Sequence, residues 1–161
     1  MTNAFAKAYS LNLGAAAAPR ALTIVLNLGC TDSHDWFNAN IEALDAAIAA
    51  GRVQAQLVFW NKQKPALANG NVANGYIDYQ HPDAAFKFVR AVFANQEPLR
   101  AAADPAAYLE KTYGVTRFAE ADAAAKATAD GVANSGVNFL PTVIDGDVLY
   151  SDEKMSELPE L

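Results

Sequence analysis

Residues 22–34 read LTIVLNLGCTDSH: an apolar run, a glycine, the chain's one cysteine at position 30, then Thr31, Asp32, Ser33 and His34. Residues 21–28 are rich in leucine and β-branched side chains, which predicts a buried central strand. Thr31, Asp32 and Ser33 are all residue types that cap helix N-termini. Phe37, Ile41, Leu44 and Ile48 then recur at helical spacing, one apolar stripe that ends at Gly51. Cys30 therefore falls where a strand hands over to a helix. Unpaired N–H groups and the helix dipole stabilise an anion there, and a thiolate is an anion. A thiol in such a place is nucleophilic at neutral pH. Asp32 opposes this by like-charge repulsion, whereas His34 supports it when protonated. The plainer alternative is that Cys30 is a small buried hydrophobe.

Working outward, residues 53–60 begin by alternating with Gln54 and Gln56 and become continuously apolar, a second strand. Strand, helix and strand make a β-α-β unit, for which a parallel, right-handed crossover is favoured. Residues 9–13, YSLNL, alternate as a short half-buried strand. Residues 61–75, NKQKPALANGNVANG, are polar and turn-rich and are expected to be a connecting loop. Helical spacing returns from Pro82 with Phe86, Val89 and Phe93. A shorter helix is announced by Asp104 as cap and Pro105 in its first turn, and Gly114 closes it. Residues 117–134 are alanine-rich and break at Gly136. At the C-terminal end, residues 142–144 and 148–150 flank an Asp145-Gly146 turn, a hairpin signal, followed by a short polar tail. No internal repeat or second domain boundary is evident, so residues 1–161 are expected to form a single domain.

Composition excludes several classes. Twelve basic against eighteen acidic side chains give a formal charge of −6, and no Lys/Arg cluster exists to neutralise phosphates, so no nucleic-acid partner is expected. No apolar run approaches the ~18–20 residues of a membrane span, so no membrane association is expected. The N-terminal residues lack the long apolar segment of a signal peptide. A cytoplasmic location is the default expectation, and a periplasmic or secreted one would follow if a signal had been removed. One cysteine rules out an internal disulfide and a multi-cysteine zinc site, and two histidines, His34 and His81, are too few for a histidine cluster, so no metal is expected.

Other residues carry less. Asp32 and His34 are two apart and do not face each other on a helix, so they form no triad. His81 before Pro82 reads as an exposed cap residue. The glycines of GNVANG lack a basic neighbour and make no phosphate loop. Trp36, Phe37, Tyr76 and Tyr79 suit either a groove or the core. Leu140-Pro141-Thr142 places a proline at the start of a strand, where it is tolerated.

Two stretches together carry a resemblance. LNLGAAAAPRALTIVLNLGCTDSH, with its short strand, Gly-to-Pro loop, central strand and Cys at a helix start, and NFLPTV, with its proline before a strand, resemble the thioredoxin superfamily and its DsbA-like branch. The resemblance implies an α/β, thioredoxin-like fold: a central mixed sheet flanked by helices, with a helical insertion at about residues 64–115. It implies that Cys30 is the nucleophilic thiol, that Pro141 is a cis-proline beside it, and that the backbone of Leu140 pairs with an extended substrate. Thr31, Asp32 and His34, which share the helix start, are taken with Leu140 as candidate substrate-binding positions.

Ser33 departs from that pattern. The branch has a second cysteine there, which attacks the mixed disulfide and releases substrate, and a hydroxyl cannot do this. C-x-x-S variants occur among DsbA-like and glutaredoxin-like proteins. Ser33 then either donates a hydrogen bond to the thiolate or caps the helix, and it joins Cys30 and Pro141 as a candidate catalytic residue. Three readings follow. One is a single-cysteine thiol–disulfide exchange protein, of isomerase or reductase type, acting on protein thiols and disulfides or on glutathione. Another is a module that grips extended peptides or glutathione beside Pro141 without turnover, and the third is a glutathione transferase of the kappa type. Glutathione is the one co-substrate expected, no other cofactor is, and the oligomeric state is not legible in the residues.

Overall fold

Among residues 4–161, which the computed structural model describes, five strands form one mixed sheet: β1 (Leu11–Leu13), β2 (Arg20–Leu26), β3 (Val53–Phe59), β4 (Thr142–Asp145) and β5 (Val148–Ser151). Their order is β1-β3-β2-β4-β5, with β2 and β3 parallel and the other pairings antiparallel. Helix α1 (Thr31–Ala49) makes the β2–β3 crossover. Between β3 and β4 lie α2 (Ala68–Asn74), α3 (Pro82–Ala94), α4 (Glu97–Ala101), α5 (Pro105–Tyr113) and α6 (Ala121–Ser135). This is an α/β, thioredoxin-like arrangement.

Alternation along β2 divides the core between the two faces of the sheet. Leu22, Ile24 and Leu26 join Leu57 and Phe59 of β3 in the larger cluster, against Phe37 and Leu44 of α1 and Val89 and Phe93 of α3. The Phe37 and Phe93 rings stack with centroids 4.6 Å apart, which locks α1 to α3. Val25 and Val58 point the other way, towards Phe5, Val137 and Val132 of α6. The central strand is thus buried on both sides, as its continuous apolar run requires.

Several local expectations are corrected. Residues 7–9 form a 3₁₀ turn, so the first strand is only Leu11–Leu13. The hairpin loop is Gly146–Asp147, because Asp145 still pairs with Val148. Gly146 has φ +62°, a positive value at the first loop position, where glycine is the preferred residue. The tail is not simply polar. Asp152–Glu157 is a 3₁₀ helix, and Met155, Leu158 and Leu161 pack against the main core. Arg20 holds it from the sheet: Nε bonds Asp145 Oδ2 at 2.9 Å, and the guanidinium donates to the carbonyls of Glu160 (2.7 Å) and Pro159 (3.0 Å).

The largest correction concerns residues 61–75. Pro65–Leu67 is a 3₁₀ turn and Ala68–Asn74 a helix, not a loop. Apolar periodicity could not reveal this helix, because it faces inwards with Gly70, Ala73 and Asn74. Gly70 lies against Gly29, the residue before the cysteine. A Cβ on Gly70 would stand 2.1 Å from Asn27 Oδ1 and 2.5 Å from Gly29 N. Gly70→Ala is therefore expected to cost about 1–3 kcal/mol as an overpacked contact, measured by urea denaturation. Gly136→Ala, at φ +77° with nothing within 4 Å of the new Cβ, is the comparison in which backbone conformation alone is charged, and it should cost no more than about 1–2 kcal/mol.

Candidate functional site

Cys30 is itself the N-cap of α1. Its backbone is extended (φ −81°, ψ 126°), and its sulfur accepts the N–H of Ser33 at 3.4 Å. Thr31, Asp32 and Ser33, the expected caps, lie within the helix. A sulfur in this position takes up one of the donors that a helix start leaves unpaired. Sγ is partly exposed and stands 4.0 Å from the carbonyl oxygen of Leu140. The Leu140–Pro141 peptide bond is cis. Residues 110 positions apart thus meet at the end of β2 and the start of β4, neighbouring strands in the sheet.

Residues 27–30, which carry the sulfur, are held by side-chain amides from distant parts of the chain. Asn74 Oδ1 accepts the N–H of Leu28 (3.1 Å), and Asn27 Oδ1 accepts that of Gly29 (2.8 Å). Gln96 Nε2 donates to the carbonyls of Leu28 (2.8 Å) and Cys30 (2.9 Å). Asn27 Nδ2 donates to Trp60 O (2.9 Å) and to Asn71 Oδ1 (2.8 Å). Buried backbone groups need partners, and here amides supply them.

Ser33 is 0% exposed, and its Oγ accepts the N–H of Asn27 at 3.2 Å. Its contact with the sulfur runs through its backbone N–H. The hydroxyl ties the helix start to the end of β2, so neither of the roles expected for it, bonding the thiolate or capping the helix, describes its side chain.

Leu140, whose carbonyl faces the sulfur, and Asp32, two residues after Cys30, line a groove of about 320 Å³ of which Cys30 itself is not a wall. Trp36, Phe139, Leu140, Pro141 and Met155 give it apolar walls, and Asp32 and Asp152 contribute carboxylates. Phe139 is 50% exposed, a large apolar surface left to solvent. The structure thus gathers Cys30, Ser33, Leu140, Pro141 and Asp32. Thr31 is exposed and does not line the groove, and His34 Nδ1 engages Asp35 Oδ1 at 2.8 Å. Of the four aromatics, Trp36 reaches the groove, while Phe37 and Tyr76 belong to the core and Tyr79 packs against it.

Lys62 was not legible in the sequence. Its Nζ donates to the carbonyl of Asn138 at 2.6 Å and lies 5.2 Å and 5.8 Å from the Trp60 and Phe139 ring centroids. Desolvation, then the charge of Lys64, lowers its pKa, while the Cys30 thiolate acts in the opposite sense. A lysine past the end of a strand carries no pattern to mark it. The asparagines at 61, 69, 71 and 74, four in fifteen residues, did offer a signal.

The sequence profile of the family described as Thioredoxin matches residues 7–160. The chain belongs to the thioredoxin family. Solved structures agree on the fold of this thioredoxin-family chain. A conserved protein of unknown function from Enterococcus faecalis V583 is 26% identical, with a TM-score of 0.83 over 91% of this chain and 85% of its own. Oxidised BdbD from Bacillus subtilis is 15% identical, with a TM-score of 0.69 over 95% of this chain and 92% of its own. A protein from Pseudomonas syringae, provisionally assigned as a protein-disulfide isomerase, is 17% identical, with a TM-score of 0.72 over 94% and 97%. No curated protein matches the chain significantly. Among the described residues, no helix is long and apolar enough to cross a membrane.

The ammonium of Lys62 attracts the thiolate through space. Lys62→Met is expected to slow alkylation of Cys30 by iodoacetamide at pH 7 about two- to threefold at low ionic strength, with the difference shrinking at about 0.5 M salt. Lys62→Arg, which keeps the charge, should stay near wild type.

Proposed function

We propose that this chain is a single-cysteine thiol–disulfide exchange protein acting through Cys30. The observation that carries the reading is the sulfur's position: partly exposed, receiving a helix N–H, and next to the Leu140 carbonyl at the edge of an apolar groove. The Cys30 thiolate attacks one sulfur of a substrate disulfide. A bond forms between Sγ and that sulfur, the substrate S–S bond breaks, and the other sulfur leaves as a thiolate with the electron pair. A thiol from outside the chain, such as glutathione, then attacks the mixed disulfide and returns Cys30 as thiolate. The resemblance of the fold to BdbD and to the provisionally assigned disulfide isomerase supports the reading. With no second cysteine, the chemistry fits isomerisation or reduction and not dithiol oxidation. The need for an outside thiol suits a compartment rich in reduced small thiols, which makes the cytoplasm the first place to look.

Incubation with excess oxidised glutathione, followed by intact mass measurement, tests the first step. One glutathionyl group should add to wild type and none to Cys30→Ala. Absence of the adduct, together with no reaction of Cys30 with an uncharged activated disulfide that modifies an ordinary exposed thiol, would leave a binding module without turnover as the better account.

Ser33→Cys supplies a complementary measurement. Positions 30 and 33 share one face of the helix start, so the new thiol stands where it can close a disulfide with Cys30. The Asn27 N–H then faces a sulfur, a poorer acceptor than the Ser33 hydroxyl. The variant should form an internal disulfide and reduce insulin faster than wild type with dithiothreitol as electron source. Cys30→Ala/Ser33→Cys should not. A bond that forms without any gain in insulin reduction would count against a redox scaffold.

A further inference from the structure

We infer that the groove beside Cys30 selects disulfides set in cationic, extended peptide segments and discriminates against anionic partners, glutathione included. The inference rests on the exchange reading above and names its substrate class. Trp36, Phe139 and Met155 give apolar walls suited to an uncharged side chain, Leu140 links the groove to the sulfur, and Asp32 and Asp152 place two carboxylates around the same volume. Both are exposed, and neither has an ion-pair partner among the described residues, in contrast to Asp35, Asp45, Asp78, Asp122, Asp130 and Asp145. Asp152 comes directly after β5 with φ +51°, which brings the chain into the 3₁₀ turn that carries Met155 to the groove. Two cations lie near the groove without being part of its lining: Lys62, over Trp60 and Phe139 with its ammonium bonded to Asn138 O, and Lys154, in the turn between Asp152 and Met155, over Tyr150.

A lysine or arginine two residues from a substrate cysteine would therefore meet an unpaired carboxylate while the intervening apolar group is desolvated. Glutathione carries two carboxylates and one ammonium, a net negative charge, and the residues lining the groove include two carboxylates and no lysine or arginine. The formal charge of −6 over the chain acts in the same direction on diffusional approach.

The test uses three end-blocked pentapeptides with a central cysteine, flanked on both sides by Lys-Ala, Ala-Ala or Glu-Ala, each activated as a mixed disulfide with thionitrobenzoate. Cys30 attacks the peptide sulfur, the S–S bond breaks, and coloured thionitrobenzoate leaves with the electron pair, so its release reports the rate. Because the leaving group is common to all three, differences in rate report the flanking residues. The lysine peptide is expected to react about tenfold faster than the glutamate peptide at low ionic strength. The ratio should fall to within about twofold at about 0.5 M salt and in the Asp32→Asn/Asp152→Asn variant. Each single Asn variant should lose part of the ratio, which keeps the test decisive if the double variant is poorly folded. Equal rates for the three peptides would overturn the charge selectivity while leaving exchange at Cys30 intact. A ratio unchanged by the Asn substitutions would assign the preference to overall charge and overturn the role of the groove. Failure of all three peptides, the alanine one included, would overturn the exchange reading and this inference with it.

Discussion

Everything at the site depends on holding the backbone of residues 27–30 in one conformation where it leaves the sheet. Strand pairing has ended with β2, and backbone bonds serve only part of the segment: the Cys30 N–H donates to Asn27 O, and Cys30 O accepts the first helix bond, from the His34 N–H. Other donors and acceptors are met by Asn27, Asn74, Gln96 and Ser33, which bring together the strand end, α2, the residue before α4, and α1. The set is not fully satisfied: Gln96 donates to two carbonyls of the segment, but its Oε1 is buried without a hydrogen-bond partner among the described residues, an unpaired group of the kind that costs about 1–3 kcal/mol. The Gly29–Gly70 approach is part of the same constraint: only without side chains at both positions does α2 come close enough for Asn71 and Asn74 to reach.

This explains which parts of the structure could be read in advance. The apolar run before the cysteine and the stripe Phe37, Ile41, Leu44 and Ile48 are governed by burial, which periodicity reports, and they appear as β2 and α1. Asp104, Pro105 and Gly114 bound α5 as their capping chemistry requires: Asp104 accepts the N–H of Ala107, and Gly114 takes the left-handed conformation. Helix α2 escaped because its inward face is made of small and polar residues, chosen for what they hydrogen-bond and not for hydrophobicity. The cap of α1 was misplaced for a related reason. Three good capping residues follow Cys30, and nothing local shows that the sulfur, one position earlier, takes the role. The meeting of Leu140 with Cys30 is non-local and entered only through resemblance, as did the expectation for the peptide bond before Pro141.

Ser33 shows how a motif position can keep its place while its contacts differ from those expected. Its side chain is buried and serves the end of β2, so the hydroxyl is built into the local hydrogen bonding. The groove likewise joins distant segments. Three of its walls, Phe139, Leu140 and Pro141, belong to the loop before β4, whereas Met155 comes from a tail that Arg20 holds through two backbone carbonyls.

That the cysteine sulfur caps the helix has a thermodynamic corollary. A hydrogen bond from the Ser33 N–H is stronger to an anionic sulfur than to one in a disulfide, because charge strengthens it. The start of α1 is therefore better capped when Cys30 is free than when it is joined to substrate. Capture and release are not mirror images: forming the adduct weakens the helix end, and breaking it restores the cap. Under the proposed exchange, this one capping bond at the start of α1 would favour the free sulfur over the adduct, a useful asymmetry where the second thiol has to come from outside.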